Sequence, residues 1–256
     1  MKSIYWLRTD LRINDNLAFN EFLNSSDELL IVFAQTKSFK CAGPIRKKFI
    51  LECFESLKIC LEKNGVKVFK TDLPFFDYLV QESSSEKISS LYFTNEYAFD
   101  ERQEELHVLD FCDQHKISAF SFDQGTLIKK NDLPFSIENM PFVFTDFRKK
   151  VEADLRITPL TNGPFTQIQN QGLSRIQHYL WETHRIQTYK ETRNGLLNFD
   201  DSSKLSPWLN SGTISPREVY FELKRYETQV CANESTYWLF FELLWRDYFK
   251  FVAVKY

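Results

Sequence analysis

Residues 3–13 read Ser-Ile-Tyr-Trp-Leu-Arg-Thr-Asp-Leu-Arg-Ile, and this stretch carries the first decision about the fold. Residues 3–8 (SIYWLR) form an apolar β-type run, and the turn that follows contains no glycine. In a dinucleotide-binding unit the first strand leads into G-x-G-x-x-G, whose glycines let the backbone close on a pyrophosphate. A nicotinamide cofactor is therefore not expected in this half. Comparable apolar runs recur at 29–34 (LLIVFA), 66–70 (VKVFK), 88–94 (ISSLYFT) and 117–122 (ISAFSF). Between the second and third, Pro44 opens a helix with Phe49, Ile50, Cys53, Leu57, Cys60 and Leu61 at helical spacing, and Asn64-Gly65 stops it. Residues 101–115 predict another helix. Strands joined by helical crossovers imply an α/β fold with a Rossmann-like, doubly wound parallel sheet.

Composition narrows the possibilities without naming a function. The chain has 256 residues, 43% of them hydrophobic, with 25 Phe, so a sizeable core can form. No run approaches the ~20 apolar residues that span a bilayer, and the N-terminus lacks the features of a secretory signal. No membrane partner is expected. Cys41, Cys53, Cys60, Cys112 and Cys231 show no metal-binding spacing, and the four histidines are scattered. They are read as reduced, mostly buried thiols of a cytoplasmic protein that holds no metal. The net charge of −3 excludes a generally basic nucleic-acid binder, so a polyanion would have to meet a local patch.

Residues 131–171 change character, with Pro134, Pro141, Pro159 and Pro164 and one helical piece, TDFRKKVEADL. They are expected to connect an α/β domain at 1–130 to a helical domain at 172–256, where β signals vanish. Within the second domain, SSKLSPWL (202–209) places Ser202, Ser203, Lys204 and Ser206 directly before Pro207. Ser206 as N-cap with Pro207 in the first turn is one reading. The repeat of the device at Ser215-Pro216 adds Glu218, completing a capping box. The corresponding position after Ser206 is Leu209, which leaves that helix end without a carboxylate and suited to a phosphate. Cap and phosphate site both stay open. Downstream, Glu242, Arg246 and Phe249 share one stripe of an aromatic helix, with Trp245 beside it. Charges in so apolar a helix suggest either an internal ion pair or a polar cavity for a planar, partly anionic ligand.

Several long motifs coincide. YKETRNGLL (189–197), DDSSKLSPWLNSGTISPREVY (200–220) and NESTYWLFFELLWRDYFKF (233–251) closely resemble the FAD-binding region of the photolyase/cryptochrome family. YWLRTDLRINDNLAF (5–19) resembles its first strand and turn, and DLPFSIENMPFVFTDFRKKVE (132–152) resembles the DASH cryptochrome branch. The resemblance implies an antenna domain at 1–130 and a helical FAD-binding domain from 172. It implies light-driven repair of cyclobutane pyrimidine dimers, with DNA, preferably single-stranded, as partner. The damaged bases would be flipped into the flavin pocket.

Matched position by position, the resemblance assigns FAD contacts to Tyr189, Ser202, Ser203, Lys204, Leu205, Ser206, Leu239, Glu242, Arg246 and Phe249. Glu242 and Trp245 match the groups that meet the dimer bases and carry the catalytic assignment. Arg193 matches a position facing DNA phosphate, and Asp100 and Glu101 match contacts to a 5,10-methenyltetrahydrofolate antenna. Family members continue beyond KFVAVKY with further helices that complete the flavin site. Residues 1–256 alone are thus expected to hold FAD poorly and to expose Phe240, Leu244, Phe249 and Phe251 in some combination. Three functions stay open: a repair enzyme, a blue-light receptor that binds nucleic acid without repairing it, and a remnant with only the α/β domain competent.

Overall fold

In the computed structural model, which describes residues 1–25, 27–165 and 170–256, the five apolar runs are strands of one sheet. In chain order the first part contains β1 (Lys2–Leu7), α1 (Leu17–Leu23), β2 (Glu28–Ala34), α2 (Lys37–Cys41), α3 (Pro44–Lys63) and β3 (Lys67–Thr71). It continues with α4 (Phe75–Ser85), β4 (Ile88–Thr94), α5 (Phe99–Gln114) and β5 (Ser118–Phe122). The strand order is β3-β2-β1-β4-β5 and every pairing is parallel. The alternation of side chains along a strand sends β1 into two cores. Tyr5 and Leu7 join Phe19, Phe22, Phe54 and Leu57 from α1 and α3. Ile4 and Trp6 join Phe75, Leu79, Val108 and Cys112 from α4 and α5. Helices cover both faces, as the crossover pattern predicts.

The glycine-free turn after β1 is closed by a side chain. Asp10, 1% exposed, accepts from the Arg8 N–H at 3.2 Å and the Thr94 hydroxyl at 2.7 Å, and the Tyr5 phenol also donates to it. At the other end of the layer, Gly65 takes φ 78° to stop α3, with the Val66 N–H donating to Leu61 O at 3.0 Å. That conformation suits glycine because it lacks a Cβ.

Among the described residues the chain then forms α-helices and short 3-10 or π-helical turns without a further strand: α6 (Phe144–Ala153), α7 (Gln171–Gln177), α8 (Tyr189–Thr192), α9 (Ser206–Ser211), α10 (Pro216–Gln229) and α11 (Glu234–Lys255). A π-helical turn over His178–Glu182 extends α7. Two compact units result, Met1–Gly125 with Thr161–Ile168, and Thr126–Leu160 with Gln169–Tyr256. Of the stretch 131–171 read as a connector, residues 166–169 lie outside the described residues. Its α6 packs into the second unit through Phe144, Phe147 and Val151.

Two expectations are corrected. Of the five free cysteines only Cys112 is buried, its thiol pushed up to about 11 by burial. Cys53, Cys60 and Cys231 are half-buried and Cys41 is exposed. Cys53 and Cys60 flank the stripe of Phe54, Leu57 and Leu61 that α3 turns inward. Phe240, Leu244 and Phe251 are buried, and of the four apolar residues in question only Phe249 is exposed, at 61%. Phe240 packs against Tyr220 of α10 and Phe251 against Phe147 of α6. No helix among the described residues is long and apolar enough to cross a membrane. No group of His, Cys, Asp or Glu among them is arranged to hold a metal ion.

Candidate functional site

The second unit gathers most of the residues singled out in the sequence. The segment leading to α9 begins with a short 3-10 turn, Phe199–Asp201, closed by a capping box between Asn198 and Asp201. Gly195 makes this possible: a Cβ there would lie 2.4 Å from Asp201 Oδ2. Lys204 follows with φ 54°, and Leu205 returns to the right-handed helical region. A left-handed residue followed by a right-handed one turns successive N–H groups toward one point, a concavity that suits an anion. The N–H groups of Lys204 and Leu205 make no hydrogen bond among the described residues. Nor do the side chains of Ser202, Lys204 and Ser206.

The cap reading of Ser206 is corrected here. α9 begins at Ser206 itself, Leu205 occupies the cap, and no side chain caps the helix. The left-handed turn at Lys204 lets the Leu205 carbonyl accept the first helical bond, from Leu209 N–H at 3.0 Å. At Ser215 the expected box forms in full, Ser215 N–H donating to Glu218 Oε2 at 2.7 Å and Glu218 N–H to Ser215 Oγ at 2.9 Å.

Tyr189, at the start of α8, is 7% exposed. Burial, with Glu242 nearby, pushes its phenol up to about 12, and a hydrogen bond with the Ser203 side chain works the other way. Tyr189, Ser203 and Glu242 therefore lie together. Glu242 is half-exposed, and its Oε1 is 3.4 Å from Arg193 Nε. The Arg193 guanidinium lies 4.8 Å from the Trp238 ring centre. Arg193, read as facing DNA phosphate, is thus already an ion-pair partner of the residue read as meeting the bases.

α11 carries the rest. Asn233 caps it, its Oδ1 accepting from Thr236 N–H at 3.0 Å. Trp245 stacks on Phe144 of α6 at 3.6 Å between ring centres, and on the exposed Phe249 at 5.4 Å. With Phe142 79% exposed, this end of the unit presents aromatic surface to solvent. Arg246 donates to Leu209 O, the far end of α9, at 3.3 Å. Its neighbour Asp247 is fully buried and receives the N–H groups of Leu127 and Ile128 at 3.0 and 2.9 Å. Burial raises the Asp247 carboxyl to about 6 against the pull of Arg246 and both amides. Leu239 is buried behind this surface, whereas Phe249 stands at its rim.

Asp100 and Glu101 belong to the first unit, in the first turn of α5. Asp100 pairs with Lys37 at 3.0 Å, both side chains well exposed.

Three residues escaped the sequence reading. Phe144 sat in a proline-rich stretch, and only folding brings it onto Trp245. Asp247 looked like one more charge on an aromatic helix. Arg175 of α7 carried no motif, yet its guanidinium donates to the carbonyls of Ser203 and Ser202 at 2.9 and 3.0 Å. A charged residue on the apolar side of a helix was the one available signal for each of the two polar residues.

The chain is similar to several known proteins. A family model described as DNA photolyase matches residues 3–165. Cryptochrome DASH of Danio rerio is 36% identical over 299 residues, covering 98% of this chain and 57% of that protein. Cryptochrome DASH of Synechocystis sp. is 35% identical over 295 residues, covering 99% and 60%. The chain thus spans about three fifths of the length of these relatives. The crystal structure of the Synechocystis sp. PCC6803 cryptochrome superposes with a TM-score of 0.91 at 32% identity, over 100% of this chain and 62% of that one. A class III photolyase from Agrobacterium tumefaciens shares the fold, with a TM-score of 0.79 at 18% identity.

Proposed function

The chain belongs to the DNA photolyase family, its relatives being DASH cryptochromes, and on that premise we propose that it binds FAD and repairs cyclobutane pyrimidine dimers in single-stranded DNA under blue light. The observation that carries this reading is the convergence of three helices of one unit. Tyr189 of α8 interacts with both Ser203, just before α9, and Glu242 of α11, and Arg246 of α11 bonds to α9.

The donor set fits the cofactor. Ser202, Ser203, Lys204 and Ser206, with the N–H groups around Lys204, suit a diphosphate. Leu205 and Leu239 are the apolar residues alongside. Arg246 adds a permanent positive charge that suits an electron-rich ring system. FAD, when bound, supplies the light-absorbing electron donor. The protein's own contribution is to hold and exclude. Trp245, stacked on Phe144 and on the exposed Phe249, belongs to an aromatic cluster that offers stacking surface for unpaired bases, worth ~1–3 kcal/mol per base. Glu242, kept in place by Arg193, accepts hydrogen bonds from base N–H groups while ionised. Single-stranded substrate suits the site because less stacking and pairing is broken on entry. A folate at Asp100 and Glu101 belongs to the same reading and rests on the resemblance alone.

The test is a flavin-binding titration, followed by blue-light irradiation with an oligonucleotide that carries one thymine dimer. In a protein that also carries the further helices the resemblance implies, bound FAD and light-dependent loss of the dimer are expected. Bound FAD with an intact dimer would favour the sensory function instead, and absence of flavin binding would remove the reading.

A further inference from the structure

We infer that Arg175 is a positioning residue for the flavin diphosphate: it holds segment 202–206 in the shape that turns its donors outward. The inference rests on the flavin reading above and extends it to a residue outside every motif that suggested that reading.

Arg175 is 5% exposed, in the last turn of α7. Its Nε donates to Ser203 O at 2.9 Å, its Nη2 to Ser202 O at 3.0 Å and its Nη1 to Asp200 Oδ1 at 2.6 Å. The guanidinium carbon also lies 5.0 Å from the Tyr179 ring centre and 4.5 Å from that of Phe199. The planar group is therefore tied in its plane by two carbonyls and a carboxylate, and contacts aromatic rings as well. Asp200 is in turn within 3.4 Å of His178 Nε2, on the π-helical turn that follows α7. Its carboxyl is held below the usual range, first by the Arg175 hydrogen bond.

This clamp acts on the segment through peptide geometry. A trans peptide points its C=O and N–H in opposite directions. With the carbonyls of Ser202 and Ser203 drawn onto Arg175, the N–H groups of Ser203 and Lys204 face the other way. Two consecutive carbonyls anchored to one rigid fork also hold the chain just where Lys204 enters the left-handed region at φ 54°, a costly conformation for a residue with a Cβ. Lysine cannot reproduce this, because its point charge does not bond two carbonyls and a carboxylate in one plane.

The experiment compares full-length wild type with Arg175→Ala, Arg175→Lys and Asp200→Asn. The probes are FAD, ADP, which has a diphosphate and no flavin, and riboflavin, which has a flavin and no phosphate. Arg175→Ala should weaken FAD and ADP by about thirtyfold, as expected for disordering a set of charge-directed donors, and riboflavin by less than about twofold. Millimolar guanidinium should restore FAD binding to the alanine variant, while sodium at equal ionic strength should not. Asp200→Asn keeps both carbonyl bonds and should shift FAD binding by less than about threefold. If the alanine variant does not fold, Arg175→Lys carries the test through the same selective loss of FAD and ADP. Equal losses of FAD and riboflavin, or no recovery with guanidinium, would make Arg175 an ordinary core residue and overturn the inference. Unchanged FAD binding would overturn it while leaving the flavin reading intact. A wild type that binds no FAD would remove both.

Discussion

Replacing Asp247 by alanine tests how firmly α11 is tied to the second unit. The carboxylate is fully buried and accepts the amides of Leu127 and Ile128, each of which is itself 1% exposed. Alanine leaves both amides without an acceptor, and an orphaned buried donor costs about 1–3 kcal/mol, so the pair costs about 2–6 kcal/mol. An opposing effect is the relief of a buried charge. The folded carboxyl titrates near 6 rather than at its ordinary 3.8, a difference worth about 3 kcal/mol at neutral pH. The sign follows from proton counting. Between these two values the folded state binds more protons than the unfolded one, so this group's contribution falls as pH rises, and it is fully restored only below 3.8. The variant lacks this slope. Wild type should therefore exceed Asp247→Ala by more at pH 5 than at pH 7, by up to ~3 kcal/mol across the full titration. Urea unfolding followed by tryptophan emission reads this directly, since Trp181, Trp208, Trp238 and Trp245 lie in the second unit and only Trp6 in the first. A gap that widens with rising pH, or one that does not change between the two values, would refute the reasoning.

Two other outcomes follow from the same unit. Trp245→Ala should weaken binding to dimer-containing single strands more than to undamaged ones, by the ~1–3 kcal/mol of a lost base stack. Arg193→Ala should weaken both and lower the salt dependence by about one ion. Equal losses for the tryptophan variant in a filter-binding assay would remove Trp245 from the lesion pocket. Lys204→Glu should strip FAD by setting a carboxylate where the cradle expects an anion. Ser215→Ala breaks a capping box and should cost about 1 kcal/mol of stability with flavin affinity unchanged. Flavin content that survives Lys204→Glu would take the segment out of the site.

The sequence alone determined the five strands, the helices α3, α5, α6, α10 and α11 and their order, because that information is local, while α1, α2, α4, α7 and α8 were not read from it. Side chains alternate along a strand and repeat every three to four residues along a helix, so SIYWLR and the spacing of Leu57 and Leu61 on α3 declare themselves from near neighbours, whereas the buried Phe54 was not among the residues read. The capping box at Ser215 and the stop at Gly65 were legible for the same reason, since each is complete within a few residues. The resemblance then named the cradle and the aromatic helix. What the tertiary structure decided is who meets whom. Arg193 pairs with Glu242, Phe144 backs Trp245, Arg175 grips the carbonyls of Ser202 and Ser203, and Asp247 takes two amides from a distant loop. None of these pairs is near in sequence, and a buried polar group takes as partner whatever the packed chain brings within about 3 Å. Ser206 shows the same limit at short range. Its neighbours spell a cap, yet the left-handed turn at Lys204 moves the helix start by one residue and leaves the hydroxyl uncommitted. Local residue types set which bonds a group can make; the long-range packing of α7, α9 and α11 selects the ones it does make.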